Sequence, residues 1–110
     1  MKLLTKEILN RLPPLYSQEN NPDPIVHVKF FDPTGSWTWY VIEGSPEGNT
    51  EGSPDEWNFI FFGLVRGFED ELGYFSLNEL KSIKGKLGLG IERDMHFTPK
   101  PLSQIQRRGI

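Results

Sequence analysis

Two short runs of β-branched and aromatic residues on either side of one turn signal constrain this chain more than anything else in it. Ile25-Val-His-Val-Lys-Phe-Phe31 and Ser36-Trp-Thr-Trp-Tyr-Val-Ile42 flank Asp32-Pro33-Thr34-Gly35. Side chains that branch at Cβ or carry rings pack well on a pleated surface, so both runs predict strands. Pro33 suits the first corner of a type I turn, and Gly35 suits the left-handed position that closes a three-residue loop with a bulge. In that register Asp32 faces Ser36, Phe31 faces Trp37, Lys29 faces Trp39, His27 faces Val41 and Ile25 faces Glu43. The other face sets Val26, Val28 and Phe30 against Ile42, Tyr40 and Thr38, and reads as core.

The rest of the chain reads as short elements around this hairpin. Thr5 caps a helix over Lys6 to Leu12 with Ile8, Leu9 and Leu12 on one stripe, and Pro13-Pro14 stops it. Residues 17–24 are polar and read as a loop. Glu43-Gly-Ser-Pro46 recurs as Glu51-Gly-Ser-Pro54, so residues 43–57 read as a mobile loop inserted between the second and third strands. Asn58 to Val65 is apolar enough for a central strand, and Leu72 to Phe75 gives a fourth. Ser76-Leu-Asn-Glu79 is a capping box that opens a helix to about Ile83. Ile91 to Phe97 reads as a fifth, edge strand, with a short tail after Pro99 and Pro101. The fold class is therefore α+β: an antiparallel meander of four to five strands with short helices on one face, in a single domain over residues 1–110.

Composition narrows the function classes. At 110 residues, a second domain would be too small to bury its own core. Aromatic residues make up 13% and include eight Phe, so a few rings supply the buried area. There is no Cys, which excludes a disulfide framework and a thiolate metal site and fits a reducing compartment. The N-terminus breaks into charge too soon for a signal peptide, so the expected location is the cytoplasm. Net charge is −3 but unevenly spread. Eight acids between Glu43 and Glu71 face Arg66 alone, and seven bases from Lys81 to Arg108 face Glu92 and Asp94.

Three constellations are candidates for function. The first is the mixed hairpin face of Trp37, Trp39, Phe31, Lys29, His27 and Glu43. If open, it is a stacking or protein-binding platform; if covered by a helix, Trp37 and Trp39 are core. The second is Glu92-Arg-Asp94-Met-His96, where period two on a strand would gather Glu92, Asp94 and His96 as metal ligands with His27 nearby. An ordinary edge strand shows the same alternation. The third is the acidic belt from Glu43 to Glu71, which ends in Glu69, Asp70 and Glu71. Carboxylates on one rigid face can occupy the Arg and Lys sites that a partner uses for phosphate. No nucleophile elbow or phosphate loop is present, and no cofactor is implied.

The segments Leu12-Pro-Pro-Leu15, Pro24 to Phe31, Gly35 to Tyr40 and Glu43-Gly44 together resemble a known family. The likeness continues through Phe61-Phe-Gly63, Glu71 to Leu77, Glu79-Leu80, Ile91 to Asp94 and Phe97. The family is one of short, uncharacterised bacterial proteins carried on plasmids, phages and conjugative elements, some similar members of which are linked with anti-CRISPR activity. The resemblance implies a non-enzymatic interaction protein with a protein partner, a Cas9-type nuclease; the residues offer Lys29, Trp37 and Trp39, or the acids, as the docking surface. The duplicated Glu-Gly-Ser-Pro segment is this chain's own elaboration. Two rivals stand beside it. One is a small metal-dependent hydrolase or nuclease, and the other a single-stranded nucleic-acid-binding domain that stacks bases on Trp37 and Trp39.

Overall fold

The hairpin forms one residue out of the expected register. In the computed structural model, which describes residues 2–107, β1 is Ile25–Val26, β2 is Val28–Phe31 and β3 is Thr38–Glu47. Arg108 of the basic stretch lies outside the described residues. Phe30 pairs with Trp39 and Lys29 with Tyr40, rather than Lys29 with Trp39. The cause is at the turn. The Asp32 carboxylate accepts the Thr34 N–H at 2.9 Å, and its carbonyl accepts the Gly35 N–H at 3.2 Å. This side-chain-closed turn needs no left-handed Gly35, and Gly35 has none. Ser36 becomes a fourth loop residue, and the Asp32 N–H closes the hairpin on the Trp37 carbonyl at 3.1 Å. A slip of one residue turns a strand's side chains to the opposite face, so Trp39 joins Val28 and Phe30.

β3 continues well past the expected end at Ile42. Its second half pairs with β4 (Asn58–Arg66), with Gly44 opposite Phe61 and Pro46 opposite Phe59. The first Glu-Gly-Ser-Pro copy is thus strand, which shortens the intervening loop to residues 48–57. Pro46 is tolerated because β2 no longer flanks β3 there; the Gly44 N–H already bonds the Pro13 carbonyl on that side. The second copy does lie in the loop, where Ser53 caps a single 3₁₀ turn over Pro54–Glu56.

β5 (Asp70–Ser76) pairs with β4, and β6 (Glu92–Arg93) with β2, giving an antiparallel sheet in the order β5-β4-β3-β2-β6. The expected fifth strand is cut to two residues because the Phe97 N–H folds back on the Asp94 carbonyl. β7 (Lys100–Pro101) pairs with β1 in a separate two-stranded ribbon.

Helices α1 (Lys6–Arg11) and α2 (Leu77–Ser82) start at the expected caps, Thr5 and Ser76. They cover one sheet face, burying Ile8, Leu77 and Leu80 against Phe30, Trp39, Val41, Phe61 and Phe75. The other face is covered by α3 (Leu102–Arg107), where the sequence predicts only a short tail. Leu102 and Ile105 pack there on Val26, Tyr40, Ile42 and Leu64. Arg66 ties that helix down, stacking over the Tyr40 ring at 5.6 Å and donating to the Ile105 carbonyl at 3.4 Å. The fold is α+β and mostly sheet, with both faces covered near β2 and β3. No described helix is long and apolar enough to cross a membrane.

Candidate functional site

Trp37 and Trp39 point to the same face of β3 but have different surroundings. Trp39 is core, with 6% of its surface exposed, while Trp37 keeps 36%. Their ring centroids are 6.1 Å apart. Beyond Trp37 the β4–β5 turn rises under its ring. A Cβ at Gly67 would come within 2.5 Å of the indole, so only glycine lets the turn approach. Phe68 follows at the tip, 95% exposed, and its ring meets Trp37 edge-on at 5.5 Å.

The acids continue from this tip. Glu69, Asp70 and Glu71 are all exposed. Asp70 sits opposite Arg66 and takes its guanidinium in a two-toothed bridge, with contacts of 3.0 and 2.8 Å. Glu71 sits opposite Val65, which is itself opposite Trp39, so Glu71 shares the Trp37 face. The corner therefore offers an exposed phenyl ring on an indole base with Glu69 and Glu71 beside it. Sequence reasoning named Trp37 and the three acids but missed Phe68. The available signal was a large apolar residue inside a polar turn.

The other expected binding residues lie elsewhere. Lys29 belongs to the opposite sheet face, where its ammonium is 3.8 Å from Asp94 and 5.9 Å from the Tyr40 ring centre. Glu43 is buried at 3% exposure. A β-bulge at Ile42 turns it off the face that α1 and α2 cover, toward the segment that follows Pro14. Its carboxylate accepts the Tyr16 N–H at 2.9 Å and the Gln18 N–H at 2.7 Å. It is a structural clamp rather than a docking contact. The clamp holds Tyr16 at a left-handed φ of 72°, with its ring 60% exposed.

His27 sits between β1 and β2 in a cleft of about 340 Å³ with Ile8, Arg11 and Asp94. Its Nδ1 is buried and has no hydrogen-bond partner among the described residues. Desolvation, then the Arg11 charge, lowers its pKa below the ordinary 6.5. The folded chain thus resists a proton that the unfolded chain accepts, so stability is expected to fall as pH drops below about 6.5. Urea midpoints at pH about 7.5 and about 5.5 check this. The wild type should lose more than the His27→Gln variant over that interval.

The metal set expected from Glu92, Asp94 and His96 does not assemble. Only Glu92 and Arg93 are strand; Asp94 opens a turn and accepts the His96 N–H at 2.9 Å, which breaks the period of two. No three metal-ligating side chains gather among the described residues. A second cleft, of about 750 Å³, opens beside α1 and α2. Leu4, Leu9, Leu80 and Ile91 line it, with Lys2, Lys6, Lys81 and Lys84 around them. Among the described residues, no unpartnered buried polar side-chain atom lies there to orient a ligand.

A family model described as a protein of unknown function (DUF2958) matches residues 3–107. No curated protein and no solved structure matches the chain.

Proposed function

The chain belongs to the DUF2958 family of proteins of unknown function, and we propose that within it this protein works by docking on another protein rather than by catalysis. Its role on this reading is that of an interaction protein of a mobile genetic element, an anti-CRISPR inhibitor of a Cas9-type nuclease. The observation that carries the docking reading is Phe68. A phenyl ring 95% exposed costs free energy in water, yet here it is braced on Trp37 over a glycine that admits the contact. Interface hot spots are aromatic anchors of this kind. Glu69 and Glu71 beside it suit a partner rich in Arg and Lys, such as a nuclease's phosphate-binding channel. The resemblance to proteins of mobile elements supplies the choice of nuclease.

The rivals lose their residues. The single-stranded nucleic-acid reading rests on Trp37 and Trp39 as a joint stacking platform, and Trp39 is in the core. The metalloenzyme reading needs the Glu92, Asp94 and His96 set that the turn pulls apart.

A DNA-cleavage assay tests the proposal. Stoichiometric protein should block a guide-loaded Cas9-type nuclease, and Phe68→Ala should weaken inhibition by about 30-fold, the loss typical of a hot-spot aromatic. Unchanged cleavage at large molar excess, with no complex on gel filtration, would overturn it.

A further inference from the structure

The two edges of the five-stranded sheet are treated differently. The β6 edge is two residues long, and Arg93 ties the N-terminal segment beside it, donating to the Lys2 and Leu3 carbonyls at 2.7 and 3.2 Å. The β5 edge is seven residues long and, among the described residues, has no strand beside it. Helix α2 does not screen it. The Asn78 N–H is bonded to Asn58 Oδ1 on β4 at 3.0 Å, so the helix turns inward over the sheet. Bare edges expose unpaired backbone groups, and proteins usually blunt them with charge or a bulge. β5 instead carries Leu72 and Tyr74 in its middle, 50% and 56% exposed. Phe62 and Tyr16 lie against the Tyr74 ring, at centroid distances of 5.0 and 6.3 Å. The result is an aromatic strip along an open edge.

The strand is also self-complementary. Gly73 is the midpoint of Asp70–Ser76. If a second copy adds antiparallel about that point, Leu72 of each copy faces Tyr74 of the other, joining the two aromatic strips on one face. Asp70 then faces Ser76 and Glu71 faces Phe75, so no carboxylate opposes another. Parallel addition in register would set Asp70 and Glu71 against their own copies, a like-charge contact. Gly73 adds open space, since a Cβ there meets nothing within 4 Å.

We infer that β5 is a dimerisation edge: two copies of this chain join antiparallel through Asp70–Ser76, centred on Gly73, into one continuous ten-stranded sheet. The edge adjoins the Phe68 corner and shares Glu71 with it, but its test does not depend on the nuclease.

Cysteine substitution reads the register directly, because the chain has no Cys of its own. Directly opposed antiparallel residues have Cα atoms about 4.5–5.5 Å apart, within disulfide reach. Residues 71 of the two copies would be about 14 Å apart. The full-length Gly73→Cys variant should therefore oxidise to a covalent dimer, and Glu71→Cys should not. Sedimentation should give twice the chain mass for the wild type. Leu72→Lys and Tyr74→Lys, both at exposed sites, should give the single-chain mass with an unchanged circular dichroism spectrum. A wild-type chain that stays single up to millimolar concentration overturns the inference. So does equal cross-linking of the two cysteine variants, or a dimer that survives both lysine substitutions. A β5 edge reserved for a foreign strand would produce the first of these.

Discussion

Glu43→Ala is expected to destabilise the protein by about 3 kcal/mol, because hydrogen bonds to a charged acceptor contribute roughly 1.5–3 kcal/mol each. The carboxylate is 3% exposed and accepts from two backbone N–H groups, those of Tyr16 and Gln18. Alanine offers no acceptor, and the 15–18 segment has no other tie of that strength to β3. The Leu15 N–H bond to Ser45 Oγ at 3.0 Å would remain, holding one end of the turn. Tyr16 would then be released from its left-handed φ, and the relief of that strain offsets a part of the loss. Urea denaturation measures the effect as a lower midpoint with an unchanged slope. Glu43→Gln keeps one acceptor oxygen and should fall between wild type and alanine. A docking role for Glu43 would instead leave stability within about 0.5 kcal/mol of wild type, as at an ordinary surface site.

Trp39→Ala should cost about 3–5 kcal/mol, the range for emptying a large aromatic site in a core. The helix side of the sheet packs against this indole, and Val65 lies across from it on β4. Trp37→Ala removes a ring of similar size from a half-open position. Its loss should be about 1–2 kcal/mol, since it forfeits ring contacts and only part of a buried area. Thermal or urea unfolding of the two variants separates them. Equal losses would mean that the two indoles share one environment.

Much of the fold is legible in local chemistry. Thr5 and Ser76 were readable as caps because each short hydroxyl precedes a helical apolar stripe, and both side chains accept the expected N–H. The central β4 strand was readable from its unbroken apolar run. The hairpin register was not, because it turns on whether Asp32 closes the turn with its side chain. That choice moves Trp39 between two faces. The duplicated Glu-Gly-Ser-Pro shows the same limit more sharply. Copy one is strand with a buried Glu43; copy two is loop with Glu51 exposed. Nothing inside the repeated four-residue unit distinguishes them, and the difference comes from β4 and the Pro13–Gln18 segment lying beside the first. The candidate site was half legible. Trp37, Glu69 and Glu71 meet at one corner, but Phe68, which joins them, was hidden in a turn whose composition looked merely polar. Lys29 and His27 were grouped with Trp37 only through the mistaken register.

The opposite fates of Trp37 and Trp39 underlie both the register and the docking corner, and acrylamide quenching measures them most directly. A neutral quencher is preferable to iodide, which Glu69 and Glu71 would repel. With Trp57→Phe as background, adding Trp39→Phe leaves Trp37 as the sole indole, and adding Trp37→Phe leaves Trp39. The account predicts strong quenching of Trp37 and little of Trp39, with the Trp39 emission shifted to the blue. Strong, equal quenching of both indoles would contradict it and restore an open two-tryptophan face.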